Sequence, residues 1–280
     1  MRDERMKVAV YGGTFNPVHS GHIVLAQTLL SRGVADQVVF MPNSAPDWKT
    51  NANDVGNLAE QLASFEERCE MIQIAIKGMS PKIILSRIES ELPQPSYTLQ
   101  TLDALAHKWL HCDFAWVIGY DELMQLHKWD PDPIRLVRSY DFISYPRAGY
   151  PVDLMTLNKH WPGWLCRKLL DGVLFDIPNI GISSSEVRFL ISTGCYAMVE
   201  ASMLPNGIMD YIREHGLYGA NRKNVQKEES VFNRRCENCG NHKDRADLVG
   251  IDHVYCTADE IEHSKLATCS LWVPEKKEED

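Results

Sequence analysis

Five short runs in the first part of the chain are apolar on both faces. They are "KVAVY" (Lys7–Tyr11), "QVVFM" (Gln37–Met41), "KIIL" (Lys82–Leu85), "FAWVI" (Phe114–Ile118) and "DFISY" (Asp141–Tyr145). A strand with one wet face alternates apolar and polar residues, and these do not. They read as strands buried on both sides, as in a parallel sheet. Helical patterns lie between them. "SFEERCEMIQIAIKG" sets Phe65, Cys69, Ile72 and Ile76 on one stripe and stops at Gly78, and "SYTLQTLDALAHKW" repeats the pattern. Strands alternating with helices imply a doubly wound α/β sheet, whose ligands bind beyond the carboxyl ends of the strands.

The first of these carboxyl ends carries chemistry. Gly12 and Gly13 close the first strand, and Thr14, Asn16, His19 and His22 follow in "GGTFNPVHSGHIVLAQ". The spacing fits neither a Walker loop nor G-x-G-x-x-G. Residues three apart on a helix share a face, so both imidazoles are expected at the helix mouth, beside unpaired N–H groups and the positive end of the dipole. That suits a phosphate chain. A metal pair or two ordinary surface histidines are the other readings of the same spacing. A second helix start lies far downstream, in "NIGISSSEVRFL". Ser183 and Glu186 form a capping-box pattern, followed by Ser184 and Arg188. It reads either as a second anion site or as a well-capped structural helix with an arginine in a surface ion pair.

Together, "GGTFNPVHSGH" and "ISSSEVR" resemble the HxGH nucleotidyltransferase superfamily, and within it the bacterial nicotinate-nucleotide adenylyltransferases. "SYTLQTL", "WVIGYDELMQLHKW", "SYPRAGY" and "YIREHGLY" agree with that family in order, so the resemblance spans about Lys7 to Tyr218. It implies a Rossmann-like fold and transfer of AMP from ATP to nicotinate or nicotinamide mononucleotide, with magnesium. It also implies roles. Thr14, His19 and His22 are expected to be catalytic at the phosphates. Gly12, Gly13, Lys49, Gly119, Asp121, Ser183, Ser184 and Arg188 are expected around ATP. Asn16, Tyr97, Thr98, Trp129 and Arg147 are expected around the mononucleotide, although Trp129 also reads as core and Arg147 as a structural ion pair. Two positions depart from the family pattern: "NSAPDWKT" places Trp48 and Lys49 where a P-P-H-K loop is usual, and Gln100 replaces an aspartate. A phosphate monoester is mostly ionised at neutral pH, with a second pKa of about 6, so such a reaction needs positioned donors more than a strong base.

The remaining composition divides the chain. Cys69, Cys112, Cys166 and Cys195 are scattered and read as small buried hydrophobes, whereas Cys236, Cys239, Cys256 and Cys269 crowd the end. A C-x2-C pair with two more cysteines suits tetrahedral zinc, with His242, His253 and His263 as substitutes; an iron centre or plain thiols remain open. We expect a nucleotidyltransferase domain over 1–220, a polar linker over 221–233, a zinc module over 234–273 and a charged tail over 274–280. The formal net charge of −9 argues against general nucleic-acid affinity. No run approaches a membrane span of roughly 18 apolar residues, and "MRDERMK" lacks a signal-peptide core, so a cytoplasmic protein is expected. Homo-oligomerisation, and a protein or nucleic-acid partner for the cysteine module, stay open. Two other readings compete: pantetheine-phosphate adenylyltransferase, and a regulatory nucleotide-binding protein whose zinc module binds a partner. The chain length, "SYT" and Trp129 oppose the first; intact His19, His22 and Arg188 oppose the second.

Overall fold

The computed structural model describes residues 5–46, 62–129, 131–147, 149–177 and 181–220, and the backbone of three short strands within 242–264. All five expected strands form: β1 (Met6–Gly13), β2 (Gln37–Pro42), β3 (Ile83–Leu85), β4 (Cys112–Gly119) and β5 (Asp141–Tyr145). They make one sheet in the order β3-β2-β1-β4-β5, and every pairing is parallel. The chain runs outward from β1 through β2 to β3, then returns to the other side of β1 for β4 and β5. The order therefore reverses between β1 and β4, the place where a doubly wound sheet opens a crevice.

Helices α1 (Ser20–Ser31) and α2 (Phe65–Ile76) follow β1 and β2, and α3 (Thr98–Lys108) follows β3. After β4 come α4 (Tyr120–Gln125) and α5 (Pro133–Ser139), and after β5 come α6 (Leu154–His160) and α7 (Gly163–Asp171). Val8, Val10, Val39, Phe114, Trp116, Ile118 and Phe142 face one large core with Leu102 and Leu105 of α3 and Leu165 and Leu169 of α7. Ala9, Tyr11, Val38, Phe40 and Val117 alternate with them and so face the opposite side. Both sets are buried, as the unbroken apolar runs require. The stripe on α2 is rotated from its expected place: Cys69 and Ile72 are buried, but Arg68, Met71 and Ala75 join them, while Phe65 and Ile76 stay partly exposed. Cys69, Cys112 and Cys166 are buried, as small hydrophobes should be; Cys195 is half-buried, its Sγ 3.6 Å from the Thr193 hydroxyl.

The described residues fall into two compact units. One lies within Met1–Ser185 with Pro205–Gly207, the other within Glu186–Leu204 and Ile208–Asp280. Helix α8 (Ser184–Ser192) crosses from the first to the second, and α9 (Tyr196–Ser202) and α10 (Ile208–His215) belong to the second. Within that second unit Arg213 pairs with Glu200 at 3.2 Å and lies over the Tyr196 ring at 5.5 Å. Three further strands, β6 (His242–Asp244), β7 (His253–Cys256) and β8 (Glu262–Ser264), pair antiparallel, with His242 in register opposite Cys256. The expected linker at 221–233 lies outside the described residues. No helix among those described is long and apolar enough to cross a membrane.

One glycine of the first strand is fixed by packing. A Cβ added to Gly12 would sit 2.0 Å from Trp116 Cζ2 on the neighbouring β4. The indole is 7% exposed and has no room to retreat. Gly12→Ala is expected to cost about 1–3 kcal/mol through overpacking. Equilibrium denaturation beside the parent protein checks this; an unchanged midpoint would contradict the contact.

Candidate active site

The loop that leaves β1 is held by buried polar groups. Phe15 lies in the left-handed region, at φ +50°, and its ring turns back over Gly13, where an added Cβ would be 3.1 Å away. Arg68 of α2, 1% exposed, donates from Nη1 to the Thr14 carbonyl at 2.8 Å and from Nε to the Ala63 carbonyl at 3.1 Å. The Ala63 N–H in turn donates to Asn16 Oδ1 at 3.1 Å. Asn16 is 3% exposed, so the carboxamide expected near a mononucleotide is turned into the scaffold. The Ser184 hydroxyl donates to the Pro17 carbonyl at 2.9 Å. Its proton is thereby committed to the loop.

This loop delivers His19 to the N-cap of α1 and His22 to its third residue. The backbone N–H of His19 donates to His22 Nδ1 at 3.1 Å. In a neutral imidazole one nitrogen accepts and the other carries hydrogen, so this bond places the proton of His22 on Nε2. The two rings stack with centroids 3.6 Å apart. Phe15 and Tyr11 meet His22 edge-on at 5.0 and 5.8 Å. Burial lowers the His19 pKa to about 4, with Arg147 adding to the shift. Burial also holds His22 well below its ordinary value, aided by His19 and Arg147. Both are neutral donors at pH 7. A metal pair finds no support nearby: among the described residues no three His, Cys, Asp or Glu side chains gather. Nor are they ordinary surface histidines, since His19 is 4% exposed.

Across the switch point, β4 ends at Gly119 and α4 begins. A Cβ on Gly119 would stand 2.4 Å from Asp121 Oδ1, so glycine lets the carboxylate fold back over the strand end. Asp121 Oδ2 accepts from Arg147 Nη1 at 2.8 Å, while its Oδ1 is buried with no hydrogen-bond partner. Two residues expected on different substrates are thus partners. Burial opposes the charge of Arg147, but Asp121, Tyr145 and Glu122 outweigh it and raise its pKa. Tyr145 accepts a hydrogen bond from Tyr11, and burial raises the pKa of both phenols.

A third group stands at the start of α3. Tyr97 is its N-cap and Thr98 its first residue. Gln100 Oε1 accepts from the Tyr97 N–H at 3.2 Å, so the residue that departs from the family pattern closes the cap. Trp129 is partly exposed and packs on the core, with its backbone N–H donating to the Leu126 carbonyl at 3.1 Å. In the second unit, Arg188 is 6% exposed, which removes the surface-ion-pair reading; burial lowers its pKa, opposed by Tyr218. Helix α8 starts at Ser184, which leaves Ser183 at its N-cap position. Lys49, Cys236, Cys239 and Cys269 lie outside the described residues, and only the backbone of Cys256 is described. Sequence motifs did not single out Arg68, Tyr11 or Tyr145. Arg68 had a usable signal: it lies one turn before Ile72, on the buried stripe of α2.

The histidines leave a mark on acid stability. His19 has a folded value near 4 against an ordinary 6.5, so the unfolded chain takes the proton first as pH falls. Stability is therefore lost between about pH 6.5 and pH 4, by roughly 3 kcal/mol for a shift of that size. His19→Gln is expected to remove that share of the acid-side loss. Urea unfolding at pH 7 and pH 4 measures it, and an unaltered pH dependence would sink the assignment.

Known proteins match the chain on the same ground. The family model described as Cytidylyltransferase-like matches residues 10–189. A probable nicotinate-nucleotide adenylyltransferase of Symbiobacterium thermophilum is 32% identical over 213 residues, covering 76% of this chain and 95% of that relative. One from Porphyromonas gingivalis is 34% identical, covering 68% and 86%. Among solved structures, the Plasmodium falciparum nicotinic acid mononucleotide adenylyltransferase complexed with NaAD superposes with a TM-score of 0.62 at 22% identity, over 77% of this chain and 98% of that one. That likeness establishes the shared fold. With paired imidazoles at the switch point of a five-stranded parallel sheet, the chain belongs to the cytidylyltransferase-like family, among its nicotinate-nucleotide adenylyltransferases.

Proposed function

We infer that the protein transfers AMP from ATP to a pyridine mononucleotide, nicotinate or nicotinamide, releasing pyrophosphate and forming the dinucleotide of NAD biosynthesis. The observation that carries this is the bond from the His19 N–H to His22 Nδ1. It fixes a neutral imidazole with its Nε2 hydrogen as a donor beyond β1. A phosphate oxygen of the mononucleotide attacks the α-phosphorus of ATP, and the bond to the bridging oxygen breaks. The attacking group is already ionised at neutral pH, so no proton need be removed. Charge grows on the α-phosphate and leaving oxygens, where His22 and His19 donate hydrogen bonds.

Thr14 and the backbone of Gly12 and Gly13 complete the phosphate wall. Ser184, its hydroxyl proton spent on Pro17, contributes its backbone N–H together with Ser183. Arg188 and Lys49 supply cationic contacts to the β- and γ-phosphates. Asp121 Oδ1 offers an unused acceptor to a ribose hydroxyl above Gly119, and Arg147 orients that carboxylate. Tyr97, Thr98 and Trp129 frame the pyridine, while Asn16 holds the loop. Magnesium brought in with the nucleotide would supply charge neutralisation at the phosphates. The cytoplasm is the setting.

His22→Ala is expected to fold and to lose about a hundred- to a thousandfold in turnover. Pyrophosphate release with each mononucleotide measures it; near-normal turnover would remove His22 from the chemistry.

The region after 220 is a separate module, with Cys236, Cys239, Cys256 and Cys269 as zinc ligands and 221–233 as linker. A chain ending at Ala220 is expected to keep turnover and lose its zinc. Metal analysis of the full chain showing no zinc after zinc-replete expression would defeat the ligand set, and a folded but inactive shortened chain would defeat the independence.

A further inference from the structure

Glu89 lies in a single 3-10 turn, Ile88–Glu91, just before α3, and is 5% exposed. Its carboxylate accepts two hydroxyls: Ser96 on Oε2 and Thr101 on Oε1. Thr101 is fully buried. The main-chain carbonyl of Glu89 is also engaged, accepting from the Ser44 hydroxyl at 3.1 Å and from Gln94 Nε2 at 2.9 Å. Gln94 Nε2 reaches Ser44 Oγ at 2.7 Å, and Gln94 Oε1 accepts the Ser96 N–H at 3.3 Å. One residue thus gathers the loop after β2, the turn before α3 and the first turn of α3.

We propose that Glu89 is the positioning residue for the mononucleotide half of the site. The proposal rests on the reading that Tyr97 and Thr98 meet the mononucleotide. Those two residues lie between Ser96 and Thr101, and the same carboxylate grips both hydroxyls. The segment is therefore pinned on either side of the contact residues by one buried group. A carboxylate offers two acceptor oxygens to two donors. An amide offers one acceptor oxygen and one NH2, so in Glu89→Gln one of the two hydroxyls must accept from the NH2 and turn its own hydrogen elsewhere, as Thr101 can toward the Tyr97 carbonyl at 3.3 Å, and the bond it donated to the carboxylate is lost. The burial of Glu89 and Thr101 keeps water from replacing the lost bond. None of these groups is among those assigned to ATP, so the effect belongs to one substrate.

Steady-state kinetics of the full chain with ATP and a pyridine mononucleotide varied in turn tests this. Glu89→Gln is expected to raise the mononucleotide KM by about tenfold or more, as a displaced positioning group does. The ATP KM stays within about twofold. Ser96→Ala and Thr101→Val are each expected to raise the mononucleotide KM less, and to add little to Glu89→Gln, because the three act as one unit. If Glu89→Gln does not fold, those two variants carry the same comparison. Equal rises in both KM values, or a lowered melting temperature with both KM values unchanged, would reduce Glu89 to a structural role and overturn the proposal. Parent protein that turns over no pyridine mononucleotide would instead overturn the function on which the proposal stands.

Discussion

A backbone N–H at the start of α1 chooses a side-chain nitrogen as its acceptor, and the rest of the site is built around that bond. The first N–H groups of a helix have no partner within it, and a capping box usually supplies a carboxylate or carboxamide from the third residue. Here the third residue is His22, and its Nδ1 takes the His19 N–H. The bond does two things at once. It satisfies the helix end, and it dictates the tautomer, leaving Nε2 to carry the hydrogen. The rings of His19, Phe15 and Tyr11 then hold the imidazole in place. Their bulk also keeps it neutral, because burial penalises the charged form, and His19 and Arg147 add to that penalty.

Around this helix end, the loops are fixed by buried polar groups as well as by apolar packing. Arg68 holds two carbonyls of different segments, Asn16 takes an N–H across the same gap, and Ser184 closes onto Pro17. Glu89 plays the matching part on the other side of β2, with two hydroxyls and a carbonyl that accepts twice. A loop over the end of a buried sheet carries main-chain groups that water cannot easily reach, so each needs a partner. Long charged side chains can span between segments and supply several partners each. The same reach makes them costly to remove, since every bond lost leaves a group without water.

The sheet was legible because a parallel strand must be apolar on both faces, and "KVAVY" or "FAWVI" can hardly be anything else. The loop between β1 and α1 was legible because it is continuous: glycine, hydroxyl and two histidines follow one another along the chain. Pairings between distant segments were not. Nothing in the spacing of Asp121 and Arg147 foretells that β4 and β5 bring them within 2.8 Å. Asn16 sits in the midst of the loop motif, yet its direction depends on Ala63, whose position is set by the start of α2. The stripe on α2 was read from its apolar residues alone, and so passed over Arg68, a charge that belongs on the buried side because carbonyls await it there. Glu89 is the same case: a carboxylate among polar residues reads as surface until the fold brings Ser96 and Thr101 onto it.

In the proposed reaction, the neutrality of the paired imidazoles has a consequence for how a polyphosphate would be handled. A cationic imidazole would attract the triphosphate, the transition state and the departing pyrophosphate alike, and uniform attraction tightens binding without speeding the step. A neutral donor of fixed direction interacts weakly with an oxygen that is merely near it and strongly with one that gains charge along its N–H bond. Fixed direction requires that the ring not rotate, which the His19 N–H and the stacked rings ensure. Arg147, a fixed positive charge among the described residues of the first unit's site, is meanwhile balanced by Asp121. In the proposed adenylyl transfer, selectivity for developing charge on the β1 side therefore rests on geometry, and that geometry descends from one helix cap.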